Sequence, residues 1–426
     1  MHATHRASAV QQRMHHHVSN ADSYAMFNLL TAPELFDRLE ALLPEHRERL
    51  FPPTETLSMF LAQALSADGS CRQVVDDAMV KRVVAGMTPG STDTGGYCKA
   101  RSRLPLSMVS TLTRETGGIL AKGAASWWHW RGRRVRLVDG ATVTLADTPA
   151  NQGAYPQPGS QKPGLGFPMC RVVALMCLGS GALLDTAMGP CAGKGSDEQS
   201  LLREVLDSLE EEDILLGDAF YATYFLLAEL IHSGVDGVFE QHGARKRSTD
   251  FSKGKRLGTR DHIIVLSKPK QRPEWMSPEE YGRAPDTINV RELHAGGKVM
   301  VTTLLSAKDA PKSVLKALYR QPALERGTGL SQYQDHSGYG ASALQDPGDG
   351  AQGIVGLLAR LQPDTAVDGP SGLVGRPNAA PTQLQTYGAD LDPLAATRRP
   401  HPRSVRHPRL AGADRRAPGG TAARPN

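Results

Sequence analysis

The chain has 426 residues, of which 40% are apolar and 22% charged, and carries a net charge of +5. Such a length and apolar fraction suit more than one domain with a packed core, which excludes a fibrous or wholly unstructured chain. The longest apolar run, Val172 to Leu184, is interrupted at Gly179-Ser180-Gly181 and falls short of the ~20 residues that a spanning helix needs. No membrane segment is therefore expected, and the chain is placed in the cytoplasm.

From the N-terminus, residues 1–20 carry His15, His16 and His17 without the apolar stretch of a secretory signal, and are expected to be a disordered polar terminus. Residues 21–130 are predicted to form a helical domain. Thr31-Ala32-Pro33-Glu34 has capping-box spacing ahead of Leu35, Leu39, Leu42 and Leu43. A helix starts near Thr54 with Leu57, Phe60, Leu61 and Leu65 on one stripe, and further helices are predicted over Cys71–Val84 and Lys99–Leu120. Five cysteines, Cys71, Cys98, Cys170, Cys177 and Cys191, fit neither a secreted disulfide framework nor the spacing of a zinc site, and are read as reduced thiols.

The pattern changes at Arg131. Val135, Leu137, Val143 and Leu145 alternate about a predicted turn at Asp139-Gly140, and Arg171 to Met188 reads as two strands joined at Gly179-Ser180-Gly181. A helix over Ser200–Leu209, a strand over Asp213–Gly217, a helix over Tyr221–His232 and a strand over Gly237–Gln241 follow. Residues 242–306 turn basic and β-rich, with strands expected over Ile263–Leu266, Thr287–Leu293 and Lys298–Leu305, as in an insertion hung on the core. A last helix begins near Ala310. The order predicts a mixed α/β (α+β) fold over residues 131–321. Beyond it, residues 322–426 hold no Lys, Met, Phe, Trp or Cys, and one Glu, Glu325. A tail of that composition is expected to be disordered.

Two aspartates stand out. Asp139 closes the apolar run Arg136-Leu137-Val138, where a carboxylate would be held rigidly while facing solvent, as a metal ligand requires; a simple turn residue is the alternative. Asp218 follows Ile214-Leu215-Leu216-Gly217 before a helix, where it could equally be an N-cap. Two strand-end aspartates could reach one metal pair if their strands are neighbours. Asp147, two residues before Pro149, reads as a turn residue, and Asp185 as the partner of a nearby cation.

The segments Val138-Asp139-Gly140-Ala141-Thr142, Gln161-Lys162-Pro163-Gly164-Leu165-Gly166-Phe167-Pro168, Leu216-Gly217-Asp218-Ala219-Phe220-Tyr221 and Lys253-Gly254-Lys255-Arg256-Leu257-Gly258 resemble bacterial insertion-sequence transposases of the family numbered four. The likeness runs from about Phe27 to Gln321. It implies a ribonuclease-H-like mixed sheet and an acidic triad binding Mg²⁺ or Mn²⁺, whose first two members are Asp139 and Asp218. It also implies a β-rich insertion before the helix that bears the third acid. The implied activity is metal-dependent DNA cleavage and strand transfer at the ends of an element. The partners would be double-stranded DNA and a second copy of the chain, a homodimer on DNA, with the N-terminal helices binding the ends.

The family's last helix has the pattern Y-x2-R-x3-E-x6-K. Tyr319 and Arg320 stand at its start, but the arginine position holds Pro322 and the glutamate position Arg326, with Glu325 one residue early. A displaced reading frame supplies the arginine, glutamate and lysine at their mutual spacing, with the arginine one place further from Tyr319 than the pattern asks. Taking the last two bases of each codon with the first of the next, Ala323-Leu324 can encode Arg, the following overlaps Trp, Asn, Val and Glu, and those of Gln332 to His336 Asn, Ile, Lys and Thr. The residues after Gln321 are therefore expected to be out of frame, leaving this chain without its catalytic glutamate. A non-catalytic DNA-binding remnant is the alternative function, and a simple nuclease on the same fold a third.

Basic residues cluster in Arg131, Arg133, Arg134 and Arg136, then in Arg245, Lys246 and Arg247, then in Lys253, Lys255 and Arg256. All three clusters are read as phosphate contacts, and those of the insertion, with Lys162, Tyr319 and Arg320, are the named candidates for DNA contacts, where release of condensed counterions favours lysine and arginine.

Overall fold

The computed structural model describes residues 38–43, 50–66, 69–122, 129–162, 164, 166–191, 193, 197–246 and 248–319. The expectations for residues 1–20, Thr31–Glu34, Arg247, Arg320, Glu325 and the tail lie outside these residues. The chain divides into two units, Met1–Val374 and Gly375–Asn426, and everything described belongs to the first.

Helix α1 (Pro53–Leu65) starts on a proline, whose missing N–H costs nothing in a first turn. Its Leu57 and Phe60 pack with Leu39, Leu104, Met108, Val109 and Leu112. Helix α2 (Cys71–Val84) is capped by Ser70, whose side chain accepts from the N–H groups of Arg72 and Gln73. The single helix expected over Lys99–Leu120 is instead two, α3 (Thr94–Arg101) and α4 (Leu106–Lys122). Pro105 causes the break, because its ring keeps Leu104 out of the helical region and it has no N–H to donate.

A nine-stranded sheet follows in the order β3-β2-β1-β4-β5-β9-β8-β7-β6. The first strand, β1 (Val135–Thr144), does not turn at Asp139-Gly140. It runs unbroken beside antiparallel β2 (Met169–Cys177), with Asp139 opposite Ala174 and Gly140 opposite Val173. The local turn preference of Asp-Gly yields because a turn there would forfeit the ladder bonds to β2. After α5 (Pro149–Ala154) and β2, strand β3 (Leu183–Pro190) completes the predicted meander. Then come α6 (Glu198–Glu204), a 3₁₀ turn at Leu206–Ser208, β4 (Ile214–Gly217), α7 (Tyr224–His232) and β5 (Asp236–Glu240). Strand β4 lies parallel to both β1 and β5. Five strands in the order 3-2-1-4-5 with only β2 reversed against β1 make the sheet ribonuclease-H-like.

Apolar residues cover both faces. On one, Val138, Val173, Leu175 and Leu215 meet Leu201, Leu202, Leu226 and Leu227 from α6 and α7, and Leu120 and Ala121 from α4. On the other, Leu137, Leu216 and Val238 meet Leu315, Leu318 and Tyr319 of the last helix, α10 (Lys312–Tyr319). Asp185 pairs as expected, accepting from Arg114 Nε at 2.7 Å and from Ser208 Oγ at 2.6 Å. All five cysteines are free thiols.

The basic β-rich stretch comprises α8 (Gly243–Lys246), β6 (Lys255–Gly258), β7 (Asp261–Ser267), α9 (Pro278–Arg283), β8 (Thr287–Ala295) and β9 (Lys298–Thr302). It does not hang apart from the core, because β9 pairs antiparallel with β5 and carries the same sheet outward. Arg291, fully buried, donates from Nε and Nη2 to both Asp261 oxygens at 2.7 and 2.6 Å, and from Nη1 to Ala310 O at 2.7 Å. That charge, satisfied on three sides, joins β7 and β8 to the approach of α10.

Candidate active site and nucleic-acid interface

The parallel pairing of β1 and β4 ends at Leu137 opposite Leu216. Asp139 lies two residues further along β1 and Asp218 two residues past Leu216, just beyond the end of β4, so the register sets them at the same level. Strand β4 stops there while β1 continues with β2 alone. Such a parting at the carboxyl ends of parallel strands leaves a crevice where α/β sheets bind ligands. Asp139 is half-buried and Asp218 exposed. Alternation along β1 turns Asp139 to the face of Leu137, hence toward α10.

Asp218 is not an N-cap. Helix α7 begins later than expected, behind Thr223, and Asp218 Oδ1 instead accepts the Phe220 N–H at 2.8 Å in a local turn. Gly217 before it has to be small. A Cβ there would lie 2.9 Å from Tyr221 Cδ2, 2.9 Å from Val138 Cγ1 and 3.2 Å from Phe239 Cδ1. From the opposite face the Tyr319 hydroxyl donates to Gly217 O at 3.2 Å, which fixes the end of α10 beside Asp218. Burial raises the Tyr319 pKa, and the charges of Glu240 and Asp218 raise it further, so the hydroxyl stays a donor.

Nothing in the local sequence singles out Glu198. It follows the N-cap Asp197 of α6, where an acidic residue has an ordinary use against the helix dipole. The fold sets its carboxylate over Gly140, where a Cβ would lie 2.6 Å from Glu198 Oε2. The Tyr221 hydroxyl donates to that same oxygen at 3.2 Å. Burial raises the Glu198 pKa and the charges of Asp218 and Asp197 add to it, while the Tyr221 hydrogen bond and the Arg171 charge oppose it. Tyr221 is raised in turn by burial and then by Glu198, Asp218 and Asp139. Among the described residues, no three His, Cys, Asp or Glu side chains are grouped to hold a metal ion. Asp139 and Asp218 nevertheless offer the hard oxygen donors that Mg²⁺ or Mn²⁺ prefers, at a solvent-reachable crevice.

The basic candidates separate by environment. Lys162 is exposed in the loop that precedes β2, beyond the carboxyl end of β1. Lys253, Lys255 and Arg256 are exposed at the start of β6, with β5, β9, β8 and β7 between that strand and β4. Arg245 is engaged, its Nε donating to Glu292 Oε1 at 3.0 Å. Glu292, itself buried, also accepts from Gln241 Nε2 at 2.6 Å, and His262 Nε2 lies 3.0 Å from its other oxygen. Arg133, Arg134 and Arg136, read as phosphate contacts, are drawn into ion pairs at the amino ends of β1 and β4. Arg133 meets Asp236 at 2.7 Å, while Arg134 and Arg136 share Asp213 at 2.8 and 2.9 Å. The side chain of Lys246, and all of Arg247 and Arg320, lie outside the described residues. Trp275 of the insertion is held by the Arg203 guanidinium, 3.3 Å above its ring, and by Phe225 edge-on.

Residues 130–321 match the family described as Transposase DDE domain. The transposase InsG for insertion sequence element IS4 of Escherichia coli (strain K12) is 25% identical over 252 residues, which is 57% of this chain and 54% of that protein. The chain thus spans about half the length of that curated relative. The matched stretch opens just before β1, takes in both aspartates and closes just after α10, so it is this part of the chain that is similar to a DDE transposase domain.

Proposed function

We propose that this chain acts on double-stranded DNA at the ends of an insertion sequence, cleaving and joining strands with Mg²⁺ or Mn²⁺ held by Asp139 and Asp218. The observation that carries this reading is the equal level of Asp139 on β1 and Asp218 just past the end of β4, where the parallel pairing parts. When bound, a pair of divalent ions stabilises both the attacking and the leaving oxygen of a phosphodiester displacement. The protein's own share is to hold the two carboxylates on rigid strands, to fix the end of α10 beside them through Tyr319, and to offer phosphate contacts from Lys162, Lys253, Lys255 and Arg256. Arg245 serves the interface indirectly, by neutralising Glu292. A homodimer on paired ends is the assembly such joining requires.

Arg326 at the position of the third acid favours a second reading, a DNA-binding remnant with impaired chemistry. Nicking of end-bearing duplex by the full chain distinguishes them. Slow nicking in Mg²⁺ or Mn²⁺ is expected, abolished by Asp139→Asn and by Asp218→Asn while DNA binding and the melting temperature persist. A variant nicking at the parental rate would remove that residue from the site. A parent that binds DNA but nicks in neither metal selects the remnant.

A further inference from the structure

We infer that Glu198 is a positioning residue of the divalent-metal site, the third carboxylate that this fold brings to Asp139 and Asp218; the inference rests on the two-aspartate reading above. Two contacts place it, and the electrostatics agree with them. Its carboxylate occupies the space a side chain at position 140 would fill, one residue along β1 from Asp139. Its Oε2 is tied to Tyr221 at 3.2 Å, and Tyr221 packs against Gly217, the residue before Asp218. The charge of Asp218 is felt at Glu198, and the charges of both aspartates at Tyr221.

Among the described residues, the carboxylate is anchored through one oxygen. Tyr221 uses Oε2, which leaves the acceptor capacity of Oε1 for a further donor. Alternation on β1 puts Gly140, and so Glu198, on the opposite face from Asp139, and the described residues contain no three-ligand cluster. Glu198 therefore acts at one remove. Mg²⁺ gives up its waters reluctantly and keeps several of them when bound by one or two carboxylates. A third carboxylate beside such a site accepts hydrogen bonds from that shell and adds negative charge, the kind of support whose loss costs about tenfold to a hundredfold in metal affinity. With Arg326 in place of the family's acid, this chain has particular need of it.

The test is Mn²⁺ binding by the full chain without DNA, read from the loss of the free-ion electron paramagnetic resonance signal. Glu198→Gln keeps the volume and an acceptor for Tyr221 but removes the charge, and should weaken Mn²⁺ binding by about tenfold or more without lowering the metal-free melting temperature. Gly140→Ala keeps the charge but displaces it, since the added Cβ meets only the far end of the Glu198 side chain, and should weaken binding in the same sense. Asp139→Asn and Asp218→Asn should abolish it. If the two aspartate variants lose the ion while Glu198→Gln binds like the parent, the role of Glu198 is overturned and the aspartate site stands. If the aspartate variants also bind like the parent, or the parent takes up no Mn²⁺, both readings fall.

Discussion

Gly217 has neighbours on three sides and none of them is free to leave. Tyr221 and Phe239 are fully buried and Val138 nearly so, and each would lie within 3.2 Å of a new methyl group. Gly217→Ala is therefore expected to cost about 1–3 kcal/mol by overpacking, seen as a lower urea midpoint at unchanged slope. An unchanged midpoint would mean that the packing between β4 and α7 yields more easily than these distances imply. The residues around this glycine were unequally legible in the sequence. Asp218 could be singled out because a buried strand, a glycine and an acid are adjacent in the chain. Glu198 could not, because its neighbours Gly140 and Tyr221 come from other elements and its own surroundings look like an ordinary helix start. Arg245 shows the converse: it sits in a basic run, yet Glu292, from a distant strand, also engages its guanidinium.

Helices and strands were legible where the local signal and the tertiary demand agree, as in Cys71–Val84 and in the hairpin of β2 and β3. They were misread where the two conflict. Asp139-Gly140 has turn chemistry but lies in a strand paired along its length, and Pro105 divides a stretch whose apolar spacing continues across it. The insertion was recognised as β-rich and basic, but nothing local could tell that β9 would pair with β5. Its start carries a functional expectation. Lys253, Lys255 and Arg256 are exposed, whereas Arg245 is engaged within the insertion. Replacing those three together with glutamine should flatten the dependence of log affinity for duplex DNA on log salt by about 0.9 for each phosphate that the variant no longer neutralises. A slope equal to the parent's would remove this stretch from the DNA interface.

Across the whole molecule, the match to the transposase domain ends at residue 321, one residue before the composition changes. We propose a displaced frame as the common cause, since the alternative codon overlaps can encode an arginine, a glutamate and a lysine at the mutual spacing of the family's last helix. Sequencing of the gene is expected to show Trp-Asn-Val-Glu in the displaced frame. One compensating base change near codon 321 should then raise metal-dependent cleavage well above the parent's, and early stop codons in that frame would exclude the idea. The long sheet has a further consequence, at its outer rim. Among the described residues the nine strands leave two edges, β3 and β6, and any open edge invites another chain to add a strand. Strand β6 is four residues long, its register slips between Arg256 and Gly258, and Lys255 and Arg256 stand exposed on it. Shortness, a kink and like charge are the means by which soluble proteins keep such rims from zipping together. Lys255 and Arg256, proposed above as DNA contacts, thus also guard this edge against aggregation, and a chain stripped of them is expected to gain a tendency to polymerise.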